Sequence, residues 1–330
     1  MMKKKIIFIG AAGKQSQEYI ELLKSEVEIV ALIDPLFATE SGKIAKSIPC
    51  FGSIDKIPHD FQIDFAFISV PHNLHYDLTK QCLLRGWNVV KEKPFSLSVQ
   101  EAHSLLRISE LQGKKIWTIC QRNWLPQWKL AKEWTSYIGK IYSFEYEYSF
   151  NFSTPTSGWR SKQQDACGGV LIDMGYHSID LIQILFGVPD EVFSTASFCY
   201  QESMKENLED SVSIMFQYNE EKLKGTLQID RHNLEKKECL SVQGSNGFLV
   251  ITLNQIQLYN KKGTLIGTHM SPITTQQCKK EMLVSYLDGS IDYHQHIHQH
   301  LSNVQTINTI YNQCLQKKKG INYETNSISL

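Results

Sequence analysis

Residues 6–13 read Ile6-Ile7-Phe8-Ile9-Gly10-Ala11-Ala12-Gly13: four β-branched or aromatic residues running directly into a glycine-bearing turn. A short apolar run without polar alternation fits a strand buried on both faces, as in parallel sheets. A helical pattern follows through Tyr19, Ile20, Leu22 and Leu23. Glu28 to Ile33 then returns as a second apolar strand that stops at Asp34-Pro35. The unit is strand, turn, helix, strand, and it points to an α/β fold.

The alternation continues outward. Phe65 to Ser69 reads as a buried strand ended by Pro71, and the helix behind it carries Leu78, Cys82 and Leu83 before Gly86. Val89-Val90 is a short strand. Ser98-Val99-Gln100-Glu101 matches a capping box opening a helix that ends at Gly113, and Ile116 to Cys120 is the next strand. Repetition over about 120 residues predicts a doubly wound parallel sheet. After Pro126 the texture changes. A helical stretch around Leu130 to Tyr137 leads to half-exposed alternation at Ile141 to Phe150, and similar strands are expected at 191–200, 211–218, 223–229, 239–243 and 248–253. This predicts a second, α+β domain with a large, mostly antiparallel open sheet, the division falling at residues 1–123 and 124–330.

Composition narrows the function classes. The chain has 330 residues, 42% of them apolar, and its 34 Lys plus Arg are balanced by 34 Asp plus Glu. No global field favours nucleic acid or an anionic membrane. The eight cysteines are scattered without a C-x-x-C pair, which predicts reduced thiols and a cytoplasmic protein. The apolar run after Met1 to Lys5 is too short for a signal segment, and no later stretch is expected to cross a bilayer.

Glycine at the end of a first strand lets backbone N–H groups and a helix N-terminus approach a pyrophosphate. Gly10 and Gly13 supply this as G-x-x-G rather than G-x-G-x-x-G, and the same glycines also suit a tight turn with no ligand. Asp34 ends the second strand, where a carboxylate accepts hydrogen bonds from ribose hydroxyls and repels a 2′-phosphate; a turn or cap aspartate is the other reading. No Arg or Lys stands at 35–38. The expected cofactor is NAD, preferred over NADP.

Lys91-Glu92-Lys93-Pro94 follows a strand and so lies at the carboxyl edge of the sheet, where open α/β folds bind ligands. It reads equally as a solvated basic turn. Asp173 and His177 stand four apart in Gly168-Gly169-Val170-Leu171-Ile172-Asp173-Met174-Gly175-Tyr176-His177-Ser178-Ile179-Asp180, on one helical face. A histidine there can exchange a hydroxyl proton while a carboxylate orients it, or the two can be a plain surface pair.

Together these elements resemble the glucose–fructose oxidoreductase, inositol dehydrogenase and MocA-like (Gfo/Idh/MocA) family of NAD(P)-dependent oxidoreductases. The resemblance also includes Val70-Pro71-His72-Asn73-Leu74-His75, Arg122 with Pro126, Gly158-Trp159-Arg160 and Gly244-Ser245-Asn246-Gly247. It implies a Rossmann domain followed by a substrate domain whose sheet commonly makes homodimers or homotetramers. It further implies a sugar, inositol or nucleotide-sugar substrate whose secondary alcohol or ketone exchanges hydride with the cofactor, bound in a cleft between the domains. Lys93 and His177 would carry the chemistry with Asp173 assisting, and Trp159 and Arg160 would lie near cofactor or substrate. Around the cofactor it places Gly10, Ala12, Gly13, Lys14, Gln15, Asp34, Val70, Pro71, His72, His75, Glu92, Lys93 and Arg122. The family usually has glycine at Ala12, threonine at Val70 and asparagine at His72. A glycoside hydrolase that retains NAD and a ligand-sensing regulator are other functions built on this fold.

His294, His296, His298 and His300 alternate, but on a helix they split into two pairs on different faces, so a polar helix start is expected and no metal. Lys317-Lys318-Lys319-Gly320 reads as a basic helix end. Substrate specificity is expected from residues such as Tyr148, Phe152 and Arg231.

Overall fold

The computed structural model describes residues 3–38, 48–151, 158–231, 233–271 and 274–319. Phe152 and Gly320 lie outside the described residues, as do the side chains of 317–319. The chain divides into two compact units: Met1–Lys129 with Gln164–Cys167 and Ser271–Val304, and Leu130–Gln163 with Gly168–Met270 and Gln305–Leu330.

The first unit is built on six parallel strands, β1 (Lys5–Ile9), β2 (Glu28–Ile33), β3 (Cys50–Phe51), β4 (Phe65–Ile68), β5 (Asn88–Glu92) and β6 (Ile116–Ile119). Their order is β3-β2-β1-β4-β5-β6, so the chain reverses direction across the sheet between β1 and β4. Alternate residues feed two separate cores. Ile7, Ile9, Ala31, Ile33, Ala66, Ile68, Val89 and Ile116 pack on one face, with α2 (His75–Leu84) and α3 (Val99–Gln112) over it. Ile6, Phe8, Leu32, Phe65, Phe67, Val90, Trp117 and Ile119 form the other, covered by Tyr19 and Leu23 of α1 (Lys14–Leu23). The double burial explains the uninterrupted apolar runs. At α3, Ser98 Oγ accepts from Glu101 N at 3.1 Å, while Glu101 Oε2 accepts from Leu97 N, one residue before the position of the usual capping box.

The first unit also takes Ser271–Val304, residues beyond the 123/124 boundary expected from the sequence. The reason is an unfinished face and an unfinished edge. In α8 (Thr275–Asp288), Met282, Leu283, Tyr286 and Leu287 complete the second core, and Tyr286 stacks on Trp117 at 5.0 Å. β6 is an edge strand whose outward N–H groups need acceptors. Ile116 N donates to Tyr293 Oη (3.2 Å) and Thr118 N to His296 Nε2 (3.0 Å), both from the start of α9 (Tyr293–Lys319), while Tyr286 Oη donates to Thr118 O (3.2 Å). Burial and the neighbouring His300 hold the His296 pKa well below the usual histidine value, which keeps the ring neutral and able to accept.

Among the described residues the second unit holds eight strands: β7 (Ile141–Ser149), β8 (Glu191–Ser197), β9 (Ser211–Tyr218), β10 (Leu223–Asp230), β11 (Lys237–Gly244), β12 (Gly247–Thr252), β13 (Gln255–Asn260) and β14 (Leu265–Met270). Their order is β14-β13-β12-β11-β7-β10-β9-β8; every pairing is antiparallel except β7 with β10. The buried helix α6 (Tyr176–Phe186) packs here, with Phe186 stacked on Phe144 at 4.3 Å. Shorter helices are α4 (Pro126–Trp134), α5 (Gln163–Ala166) and α7 (Gln201–Glu206); β8 ends at Ser197, three residues before the end at Tyr200 expected from sequence. One helical segment among the described residues, Gln163–Phe186, is long and apolar enough to cross a membrane, against the sequence expectation; 78% of its apolar window is buried within the fold, the position of a core helix.

A π-helical turn, Leu171–Gly175, leads into α6. Its leading amides are satisfied by one buried carboxylate: Glu209 accepts from Gly169 N (2.9 Å), Leu171 N (3.0 Å) and Tyr311 Oη (2.9 Å). The two glycines make room. A Cβ on Gly169 would sit 1.9 Å from Glu209 O, and one on Gly168 2.3 Å from Tyr311 Oη. The Gly244–Gly247 segment is likewise structural, since Ser245 N and Asn246 N donate to Lys140 O and Ile138 O.

Three stability tests follow from these contacts. Trp117→Ala removes the ring shared by β6, α8 and α9 and should lower unfolding free energy by about 3–5 kcal/mol in urea denaturation. Glu209→Ala leaves three buried donors without their acceptor and should cost about 3 kcal/mol or more by the same measurement. Burial raises the Glu209 pKa despite those bonds. Its ionisation therefore weakens the fold as pH rises from the ordinary carboxyl value through the folded one, and Glu209→Gln should flatten that part of the stability profile.

Candidate active site

The first unit concentrates polar groups at the carboxyl ends of β1, β2, β4 and β5, beside the point where strand order reverses. Gly10 has φ +77°, and a Cβ there would lie 2.2 Å from Ser69 O and 2.9 Å from Val70 Cγ1. Only glycine allows the β1 turn to pass this close to the β4 turn. Gly10 N and Ala11 N both donate to Ile33 O, and Gly13 N donates to Gly10 O, so the turn is fixed by its own backbone.

Asp34, 8% exposed, joins two loops. Its Oδ2 accepts from Ala12 N at 3.0 Å and its Oδ1 from Leu36 N at 3.1 Å. Each carboxylate oxygen has a further lone pair, so these bonds orient the group without exhausting it. Gly13 caps α1 without a side-chain hydrogen bond, and no acidic residue stands in the helix's first turn. The positive end of α1 is thus uncompensated by side chains, which suits a pyrophosphate, and the oriented Asp34 suits a ribose diol. The residues present fit a dinucleotide. Gly13 and Lys14 are exposed there, whereas Gln15 bonds Glu18 at 2.9 Å.

The other expected cofactor residues divide. Val70 lines the Gly10 turn. His72 and His75 are buried: His72 Nδ1 is 2.8 Å from Ala166 O, and His75 places Nε2 3.0 Å from Val70 O and Nδ1 3.4 Å from Pro94 O. Burial, Lys91 and His72 press the His75 pKa well below the usual value, so a neutral ring donates through Nε2 to the nearer carbonyl. These contacts give both histidines a part in bracing backbone. Glu92 accepts from Tyr19 Oη and from Lys93 N; desolvation, together with Glu92, pushes the Tyr19 pKa well up. Lys93, 8% exposed, follows at the end of β5 with a cis peptide to Pro94. Arg122 sits half-buried in a short turn after β6.

The second unit assembles Trp159, Arg160, Asp173 and Arg231. Arg160 lies 4.2 Å over the Trp159 ring and its Nε donates to Asp173 Oδ1 and Oδ2 at 3.3 and 3.2 Å. Arg231, 3% exposed, donates from Nη2 to Asp173 Oδ2 at 3.2 Å. Asp173 is therefore clamped by two guanidinium groups, a partnership the four-residue spacing to His177 does not reveal. Arg231 is 58 residues away in sequence and carries no local signal toward Asp173. His177, 8% exposed, opens α6 directly after the π-helical turn, an irregularity frequent at functional sites. Tyr148 is also buried.

No group of three or more His, Cys, Asp or Glu is arranged to hold a metal among the described residues. In the alternating histidines, His296 is the β6 acceptor and His300 stacks on Phe95, while His294 and His298 are exposed.

Comparison with known proteins agrees with this fold. Residues 4–119 match the oxidoreductase family with NAD-binding Rossmann fold, and residues 131–250 match the GFO/IDH/MocA C-terminal domain. Scyllo-inositol 2-dehydrogenase (NADP(+)) IolW of Bacillus subtilis is 31% identical over 42% of this chain and 39% of its own length; an uncharacterized oxidoreductase of Schizosaccharomyces pombe is 26% identical over 53% and 49%. The chain thus spans about half the length of such relatives or less. Among solved structures, an NAD binding oxidoreductase from Klebsiella pneumoniae superposes with TM-score 0.82 at 18% identity, covering 96% of this chain and 97% of that one. The WlbA dehydrogenase of Bordetella pertussis, in complex with NADH and UDP-GlcNAcA, superposes with TM-score 0.78 at 15% identity, covering 96% of each. With both halves matched in order, and with the Gly10 turn and the Asp173-to-His177 segment in place, the chain belongs to the Gfo/Idh/MocA oxidoreductase family.

Proposed function

We propose that the protein is a cytoplasmic oxidoreductase that uses NAD in preference to NADP and interconverts a secondary alcohol and ketone on a sugar, inositol or nucleotide-sugar. The observation that carries this is the oriented Asp34 beside an uncapped α1, in a chain whose two halves both match oxidoreductase-family profiles. Gly10, Ala12 and Gly13, whose own amides are taken up inside the turn, would allow the pyrophosphate to approach the first-turn amides of α1 closely, and Asp34 would hold the ribose. Bound nicotinamide supplies or accepts the hydride.

The chain's own groups handle the proton and the oxygen. Lys93 donates a hydrogen bond to the reacting oxygen and favours its ionised form. His177 takes the hydroxyl proton in oxidation and returns it in reduction. Asp173, held by Arg160 and Arg231, sits one turn before His177 and sets the charge around it. Relatives named for scyllo-inositol and D-xylose, and the WlbA complex with UDP-GlcNAcA, support the substrate class. Eight free thiols accord with a reducing compartment. A homodimer or homotetramer through the second sheet is supported by the paired, half-exposed Phe193 and Met215 on β8 and β9.

The cofactor preference is tested by thermal shift. NADH at a hundred times its dissociation constant stabilises by about 2.7 kcal/mol, and it should raise the unfolding midpoint more than NADPH at equal concentration. A larger shift with NADPH overturns the preference. Screening scyllo-inositol, D-xylose and UDP-GlcNAcA for NADH formation, and their oxidised forms for NADH loss, identifies the substrate. With that substrate, Lys93→Ala and His177→Ala should each lower kcat by about a hundredfold or more while NADH binding stays nearly unchanged. Wild-type turnover in either variant refutes its role.

A further inference from the structure

Lys91 is wholly buried on β5, two residues before Lys93. It stands in mid-sheet, in register with Ile68 of β4 and Thr118 of β6. Strand alternation gives it the same face as Val89, in the core that contains Ile68, Phe95, Ala102 and Leu105. Its Nζ donates to Phe95 O at 2.8 Å, and among the described residues no carboxylate lies within ion-pair distance. The titratable groups that interact with this amine are His75 of α2 and Glu101 of α3; His72 packs on His75 with ring centroids 5.8 Å apart, and His300 of α9 stacks on Phe95.

An amine in apolar surroundings without an ion-pair contact is expensive, and methionine would fill similar volume without that penalty. What the lysine does that methionine cannot is hold a carbonyl. Its bond to Phe95 O closes a loop over Glu92, Lys93 and Pro94. Tyr19 anchors Glu92 from the other core.

We propose that Lys91 is a positioning residue whose buried amine tethers the Phe95 carbonyl and thereby fixes the turn that presents Lys93 to the reacting oxygen. This rests on the acid/base role proposed for Lys93. Burial also pulls the Lys91 pKa down to about 7. With its folded pKa below the unfolded one, Lys91 destabilises the fold most at and below that pH, and less as pH rises toward the ordinary lysine range.

The test is Lys91→Met, with Lys91→Leu as a second variant, in the full chain. The unfolding midpoint should rise above wild type at pH 6.5, and the gain should narrow at pH 9.5. Hydrogen exchange of the amides of Lys93, Phe95, Ser96 and Leu97 should quicken about tenfold. With the substrate returned by the screen, kcat should fall about tenfold while the NADH dissociation constant stays within twofold. Unchanged exchange overturns the tether whatever the turnover. Faster exchange with unchanged kcat overturns the positioning role, and a lowered midpoint at pH 6.5 in both variants shows a structural strut instead. If Lys93→Ala keeps full turnover, the role of Lys93 fails separately, because the exchange measurement involves no chemistry at that residue.

Discussion

The free edge of β6 is the constraint on which the first unit depends. A parallel sheet buried on both faces still ends in a strand with unpaired amides, and those of Ile116 and Thr118 are met by side chains more than 170 residues downstream. Supplying Tyr286, Tyr293 and His296 to that edge brings α8 and the start of α9 onto the sheet. The same elements close the core around Trp117. A neutral imidazole suits the edge because it accepts a hydrogen bond without bringing charge to a half-buried position.

With the sheet closed, its carboxyl end can hold polar groups in fixed places. Gly10 brings two turns together at a distance no side chain permits, and Asp34 ties the Ala12 loop to the residue that follows the next strand by one turn. Around Lys93 the bracing groups come from both cores: Tyr19 from one and Lys91 from the other. In the second unit one carboxylate, Glu209, gathers the amides before the π-helical turn and so sets where α6 begins and where His177 stands.

What could be read from sequence followed the range of the interaction. Ile6–Ile9, Ala31–Ile33 and Phe65–Ile68 announce themselves because each is buried on both sides, and the Ser98–Glu101 cap and Gly113 stop are local chemistry. β13 and β14 escape notice because Gln255–Asn260 is short and alternates only through its first four residues, and Leu265–Met270 is an exposed edge. The partnership of Arg231 with Asp173, the bond from Tyr19 to Glu92 and the placement of Ser271–Val304 each join residues far apart, and no local pattern encodes them. The glycines of Gly168-Gly169 were visible as a motif. Their reason, the approach of Glu209 and Tyr311, was not.

The discontinuous first unit has a consequence for synthesis on the ribosome. All eight strands of the second sheet are translated by Met270, whereas the first sheet gains cover for β6 only once Tyr293 and His296 emerge. Domains generally assemble as their chain becomes available. The N-terminal sheet, although made first, therefore waits with an open edge and a half-covered core while the inserted sheet is completed, and the nascent chain is most prone to pairing with foreign strands during that interval.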